Sequence, residues 1–288
     1  MTLELRSRPV VDQQISLLKK QCQELRKKGV IPSLKVLLVG DNPASVLYTK
    51  NKKKFVEKLG GECEIYKLPS DVSETEFLKS VERFNKSDDV HGILIQLPLP
   101  KHLSHIDVTT LVDEHKDVDG FHPLNVFKLF KGHSESNILA PCTPKGIVTL
   151  CKHYGIELKG KRVAIIGRSL IVGKPLSLIL TNHNATVTLC HSGTKDLKEI
   201  TRSSDIIVTA TGAPEFFNKS YLNESGNQVV IDVGISKNSE GKTVGDCDFN
   251  DMKDNVSAIT PVPGGVGPMT ILSLAQNLLQ AAKKSLYP

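Results

Sequence analysis

From residue 34 to residue 234, short apolar runs rich in branched side chains alternate with stretches of helical spacing. LKVLLVG (34–40) ends in glycine and reads as a buried strand, followed by helical spacing over 44–59. CEIYKL (63–68) reads as a strand, 73–85 as a helix, and HGILIQLPLP (91–100) as a strand stopped by prolines. Residues 106–112 and 124–130 fit short helices. TPKGIVTLCKHYG (143–155) begins with a Thr cap and a proline at the first helical position, and ends in glycine. A second series follows: strands at 162–167, 185–190, 205–211 and 228–234, with helices at 172–182 and 195–203 between them. MTILSLAQNLLQAAKKS (269–285) closes the chain as an amphipathic helix. Alternation of this kind predicts parallel sheets covered by helices.

At 288 residues the chain has room for two domains or one large α/β unit. PCTP interrupts the pattern near 141–147, where the boundary is expected. The domains expected are 1–145, joined by the closing helix 268–288, and 146–267. No stretch approaches ~18 uninterrupted apolar residues, so no membrane span is expected. The N-terminus lacks the apolar core of a signal peptide, and Glu4 and Asp12 argue against a mitochondrial presequence.

The six cysteines, Cys22, Cys63, Cys142, Cys151, Cys190 and Cys247, form no C-x-x-C pair and read as small hydrophobic fillers of a reduced, cytoplasmic protein. The nine histidines show no ligand spacing, so no metal site is expected. A net charge of +6 suits any polyanion. With no Trp and 5% aromatics, a base-stacking surface for nucleic acid is not expected.

The strand RVAIIG runs into GRSLIVGKP (167–175). A strand-to-helix turn carrying Gly167 and Gly173 brings backbone N–H groups and a helix N-terminus to a phosphate. An ordinary βα turn has the same spacing, so the next strand decides more. It ends CHSGTK (190–195), with no acidic residue to bind a ribose 2′-hydroxyl. His191, Ser192 and Thr194 offer donors beside Arg168, which favours NADP over NAD. In PVPGGVGPMT (261–270), Gly264, Gly265 and Gly267 permit close backbone approach, either in a rigid turn or against a ligand.

SVLYTKNKKK (45–54) packs Lys50, Lys52, Lys53 and Lys54 into five residues. On a helix, Tyr48 and Lys52 are i and i+4 and share a face. Ser45, Tyr48, Lys52, Phe55 and Val56 make a semi-apolar stripe, so Lys52 either points inward or joins a solvated face. A lysine beside an aromatic in a partly dry site is a usable acid/base near neutral pH. Gln96 stands near the end of an apolar strand, where a buried amide needs partners. In KDVDGFHP (116–123), Asp117 and Asp119 lie in a loop; Asp119 reads either as a turn cap or as a ligand-holding group.

Taken together, SVLYTKNK, GILIQLPLP, KDVDGFHP, CTPKGI, GRSLIVGKP, IDVGI and TPVPGGVGPMT resemble the bifunctional methylenetetrahydrofolate dehydrogenase/cyclohydrolase family, over residues from about 34 to 280. The resemblance implies an α/β chain with an N-terminal catalytic domain and a C-terminal Rossmann-like NADP domain, and a cleft between them. It implies NADP-dependent oxidation of 5,10-methylenetetrahydrofolate to the 5,10-methenyl form, then hydrolysis to 10-formyltetrahydrofolate. A dehydrogenase alone, NAD(P)-linked, is the alternative. By motif match Lys52 is the acid/base, Tyr48 stacks on the folate, Gln96 tunes the lysine and Asp119 holds the pterin. Leu97, Pro98, Pro263, Gly264 and Gly265 would line the substrate site. Gly167, Arg168, Ser169, Val172, Gly173 and Pro175 would hold the cofactor from the first turn, with Arg168 and Ser192 at the 2′-phosphate. Thr143, His191, Thr211, Gly212, Gly234, Ile235 and Gly267 would complete that set. The same resemblance implies a homodimer, and roles in purine and amino-acid biosynthesis. The sequence departs from its relatives at Phe127, where glycine is usual, and in DEHKDVDG, which lacks a proline before the loop.

Overall fold

A computed structural model describes residues 2–286. In chain order its elements are β1 (Leu3–Glu4), α1 (Ser7–Lys27), β2 (Ser33–Val39), α2 (Pro43–Leu59), β3 (Glu62–Leu68), α3 (Glu74–Asn85), β4 (Gly92–Ile95), α4 (Pro123–Phe130) and α5 (Cys142–His153). There follow β5 (Arg162–Ile166), α6 (Gly173–Asn182), β6 (Thr186–Cys190), α7 (Leu197–Arg202), β7 (Ile206–Thr209) and β8 (Val229–Asp232). Last come β9 (Ser236–Lys237), β10 (Thr243–Val244), α8 (Phe249–Met252), β11 (Ala258–Ile259) and α9 (Val266–Lys284).

Two compact units emerge. The first comprises Gln13–Lys128, Ser136–Cys142 and the segment from Ile271 onward. Its sheet is parallel, in the order β3-β2-β4, and Ile93 forms a further parallel bridge with Asp117. One face of the sheet packs Leu37, Ile93 and Ile95 against Phe77, Val81 and Phe84 of α3. The other packs Leu34, Val36 and Leu94 against Val56 of α2 and Leu274 and Leu278 of α9. A strand with apolar neighbours on both faces must be a continuous hydrophobic run, which is how LKVLLV reads.

The second unit comprises the N-terminal segment through Asp12, Leu129–Glu135 and Thr143–Thr270. Its parallel sheet has the order β1-β11-β8-β7-β5-β6. The N-terminal segment, expected with the first unit, lies here because Leu3 and Glu4 pair with Ala258 and Ile259 and Leu5 is fully buried.

Helix α1 is unanticipated by the strand–helix pattern, although Val10, Leu18, Cys22 and Leu25 mark its buried side. Strand β4 stops at Ile95, five residues before the expected end. Gln96 still donates its N–H to Leu37 O, but the following Leu97–Pro98 bond is cis and the chain turns away. Both sheets reverse strand order. The chain goes from β2 to β3 on one side and then to β4 on the other; it does the same from β5 to β6 and then β7. Ligands of open α/β sheets bind outside the carboxyl ends of the strands at such reversals.

Candidate functional site

In the first unit the reversal lies between β2 and β4. Helix α2 leaves the end of β2 under local control: Asn42 accepts the N–H groups of Ala44 and Ser45 at 3.0 and 3.2 Å, Pro43 opens the helix, and Gly60 closes it in the left-handed region. Ser45, Thr49, Lys52, Val56 and Leu59 are its buried positions, while Lys50 and Lys54 are exposed. The stripe therefore turns Lys52 inward, and its side chain is only 4% exposed.

Lys52 Nζ donates to Gln96 Oε1 at 3.1 Å and lies 4.7 Å from the centre of the Tyr48 ring. Gln96 Nε2 donates to Leu97 O at 2.7 Å, which fixes its carbonyl toward the lysine. Burial lowers the Lys52 pKa from its ordinary value, and the negative charge of Asp119 opposes that shift. Burial likewise raises the Asp119 pKa, opposed first by Lys52 and then by a hydrogen bond from the Cys142 thiol. An ammonium on a dry helix face would be costly; the amide, the ring and the carboxylate offset part of that cost.

The KDVDGFHP loop separates its two aspartates by role. Asp117 is the turn cap: it is buried and accepts from Gly120 N, His122 N and Asn125 Nδ2 at 3.0, 2.7 and 3.1 Å. Asp119, two residues on, lies near enough to Lys52 for the two charges to interact. Cys142 is no mere filler, because Val118 O, at 3.1 Å, and Asp119 share its single S–H as acceptors. Asn277 of α9, fully buried, donates to Val118 O and Ala140 O at 2.9 and 2.8 Å. Neither residue was legible as part of this site. A cysteine in an apolar run and an asparagine in a helix carry no spacing signal.

In the second unit the reversal lies between β5 and β7. Gly167 has φ +123°, and its N–H bonds Cys190 O at the end of β6. A Cβ on Gly173 would overlap the Gly167 carbonyl, so the turn closes only with glycine there. Ser169 Oγ accepts the Val172 N–H at 3.1 Å, which shapes the entry into α6, where Pro175 is buried. Arg168 and Ser192 are exposed. At the end of β6, His191 N donates to Thr194 Oγ1 at 2.8 Å and His191 Nδ1 accepts from Gly193 N at 3.1 Å. The absence of an acidic side chain and the presence of these donors fit a ribose that carries a phosphate.

Thr211 and Gly212 follow β7; Gly234 and Ile235 follow β8, with Ile235 59% exposed. Burial pushes Asp232, at the end of β8, up to about 6 against several N–H donors. Thr143 Oγ1 lies 3.0 Å from Thr270 Oγ1. Pro263, with Asp232, Thr260 and Arg6, lines a cavity of about 320 Å³. Gly264 and Gly265 enter α9 near Gly267. The predicted set thus divides: Tyr48, Lys52, Gln96, Leu97, Pro98 and Asp119 belong to the first unit, and Pro263–Gly265 to the second with the cofactor set.

Two family models match the chain in tandem. Residues 5–119 match the catalytic domain of tetrahydrofolate dehydrogenase/cyclohydrolase, and residues 141–286 match its NAD(P)-binding domain. A curated relative from Listeria innocua, "Bifunctional protein FolD", is 49% identical over 91% of this chain and 90% of its own. The crystal structure of the bifunctional enzyme FolD, a methylenetetrahydrofolate dehydrogenase/cyclohydrolase from Campylobacter jejuni, superposes with a TM-score of 0.92. It is 42% identical and covers 99% of both chains. The Trypanosoma brucei N5,N10-methylenetetrahydrofolate dehydrogenase-cyclohydrolase, complexed with NADP cofactor and inhibitor, has a TM-score of 0.91 and 33% identity over 100% of this chain and 99% of its own. With both domains matched in order, this chain belongs to the tetrahydrofolate dehydrogenase/cyclohydrolase family.

Proposed function

We propose that this chain is a bifunctional one-carbon folate enzyme, an NADP-dependent methylenetetrahydrofolate dehydrogenase and a methenyltetrahydrofolate cyclohydrolase. The observation that carries the reading is the buried Lys52, held by Gln96 and flanked by Tyr48 and Asp119 in the catalytic unit. Binding alone has no need of a costly buried amine, whereas hydrolysis needs a group that moves a proton.

NADP, when bound, accepts the hydride. For that step the residues of the chain supply alignment more than chemistry. Tyr48 offers a ring face to the folate, and Asp119 offers a carboxylate to the pterin. Arg168 and Ser192 meet the 2′-phosphate, and the Gly167–Gly173 turn receives the pyrophosphate.

Hydrolysis asks more of Lys52. The methenyl substrate is a cation, and a permanent ammonium would repel it. Desolvation favours the neutral amine, which takes a proton from attacking water and returns it to the opening ring. Gln96 keeps the amine on that line. Exposed Lys50 and Lys54 attract the anionic glutamate tail of the folate.

Two copies of the chain associate through the second unit in this reading. Strand β6 ends its sheet with Thr186 and Thr188 exposed, which leaves an edge for a partner strand. The enzyme works in the cytoplasm, and the one-carbon unit it carries from the methylene to the formyl level serves purine and amino-acid biosynthesis.

The test supplies purified protein with 5,10-methylenetetrahydrofolate and either NADP or NAD, and quantifies reduced cofactor and 10-formyl product together. Both products, with NADP preferred, are expected. Reduced cofactor without accelerated formyl product would leave a dehydrogenase alone. Neither product would overturn the reading.

A further inference from the structure

Two aspartates behind the β7 and β8 turns grip each other's loops. Asp232 closes β8, and Asp246 follows the β9–β10 hairpin. Asp232 Oδ1 accepts from Gly234 N, Asp246 N and Thr209 Oγ1 at 3.0, 3.0 and 3.2 Å; its Oδ2 accepts from Cys247 N at 2.8 Å. Asp246 Oδ2 accepts from Thr211 N at 2.6 Å and from Thr211 Oγ1 at 3.0 Å. The packing is reciprocal. A Cβ on Gly234 would overlap the Asp246 carboxylate, and a Cβ on Gly245 would overlap that of Asp232. Asp246 is fully buried, and its Oδ1 has no hydrogen-bond partner. A buried carboxylate with one idle oxygen is an expensive way to close a hairpin, since a neutral side chain would do so at less desolvation cost.

What the pair holds is the far end of the dinucleotide path. The pyrophosphate turn follows β5 and the adenosine end faces β6, so the nicotinamide end runs toward the turns after β7 and β8. Those turns are Thr211–Gly212 and Gly234–Ile235. Asp246 grips the first directly and the second by contact with Gly234, while Asp232 fixes Gly234 N. Ser236 Oγ adds a bond to Gly212 O at 3.2 Å.

We propose that Asp246, with Asp232, is a positioning residue for the nicotinamide half of the cofactor, locking the β7 and β8 turns into a preformed seat. The proposal rests on the NADP reading above. Asp246 touches neither reacting centre; it acts through Thr211 and Gly234.

The test uses the full-length protein with Asp246→Leu and Asp246→Asn, and reads NADP binding by titration alongside both activities. The leucine variant leaves the Thr211 N–H unpaired. Its Kd and KM for NADP are expected to rise at least about tenfold, the factor that follows from losing one or two such bonds. The KM for folate is expected to stay within twofold, as is the cyclohydrolase rate on 5,10-methenyltetrahydrofolate, which uses no cofactor. Asp246→Asn keeps an acceptor for Thr211 and restores most NADP affinity. Should the leucine variant not fold, Asp246→Ser, which fits within the aspartate's volume, carries the same expectation. Unchanged NADP affinity in the leucine or serine variant overturns the proposal. So does parallel loss of both activities and of thermal stability, which marks a structural clasp only. Failure of the unaltered protein to bind NADP would instead sink the cofactor reading itself.

Discussion

Burial disfavours the charged form of Lys52, and Asp119 opposes that effect. This makes the cyclohydrolase pH profile informative. The rate rises as Lys52 loses its proton, so the ascending limb follows its pKa. Asp119 raises that pKa; Asp119→Asn removes the effect, and the limb is expected to move to lower pH in saturating substrate. A limb that stays in place, or moves upward, would mean that another group titrates. The stripe of Ser45, Tyr48, Phe55 and Val56 left Lys52 open between an inward and a solvated position, and the buried face through Ser45, Thr49, Lys52 and Val56 decides for inward. The split between Asp117 and Asp119 could not be read from the sequence, because both share a loop and only the backbone path decides which one caps it. Cys142 looked like packing for the same reason: its partners, Val118 O and Asp119, come from 24 residues away or nearly so.

Helix α2 sets the positions of Tyr48 and Lys52, and its first turn depends on Asn42. Asn42→Ala leaves the Ala44 and Ser45 N–H groups without their acceptor. A loss of about 1 kcal/mol is expected in urea unfolding, with cyclohydrolase activity falling more than the stability change explains. No change in the urea midpoint would show that the cap contributes nothing here. The longer elements were legible because their periodicity runs over many residues: β2, β3, α2, α3 and α9 lie within a few residues of the expected bounds. Strands β1, β9, β10 and β11, of two residues each, offer no period to read. Helix α1 had a readable apolar side, and its signal was passed over beside the stronger alternation downstream.

Across the whole molecule, chain order misleads about membership. The first residues pair with β11, more than 250 positions away, and local pattern cannot report such a contact. The two strand-order reversals were equally hidden, although they explain why Gln96, Gly167, His191, Thr211 and Gly234 fall just past the carboxyl ends of strands. A ligand that binds only the folded second unit stabilises it by mass action. NADP at 100 times its Kd is expected to add about 2.7 kcal/mol, seen as a rise in Tm, with NAD at equal concentration giving much less. Equal shifts from the two cofactors would contradict the reading of His191, Ser192 and Arg168 as a 2′-phosphate site.

The central claim is that Lys52 serves hydrolysis while hydride transfer rests on alignment. Lys52→Met keeps the length of the side chain and removes the amine, so comparing both activities in this variant tests the claim most directly. Cyclohydrolase turnover is expected to fall by ~10²–10⁴-fold, the range for a lost acid/base group, with dehydrogenase turnover within about tenfold of the unaltered protein. Equal loss of the two activities, or retained hydrolysis, would contradict it.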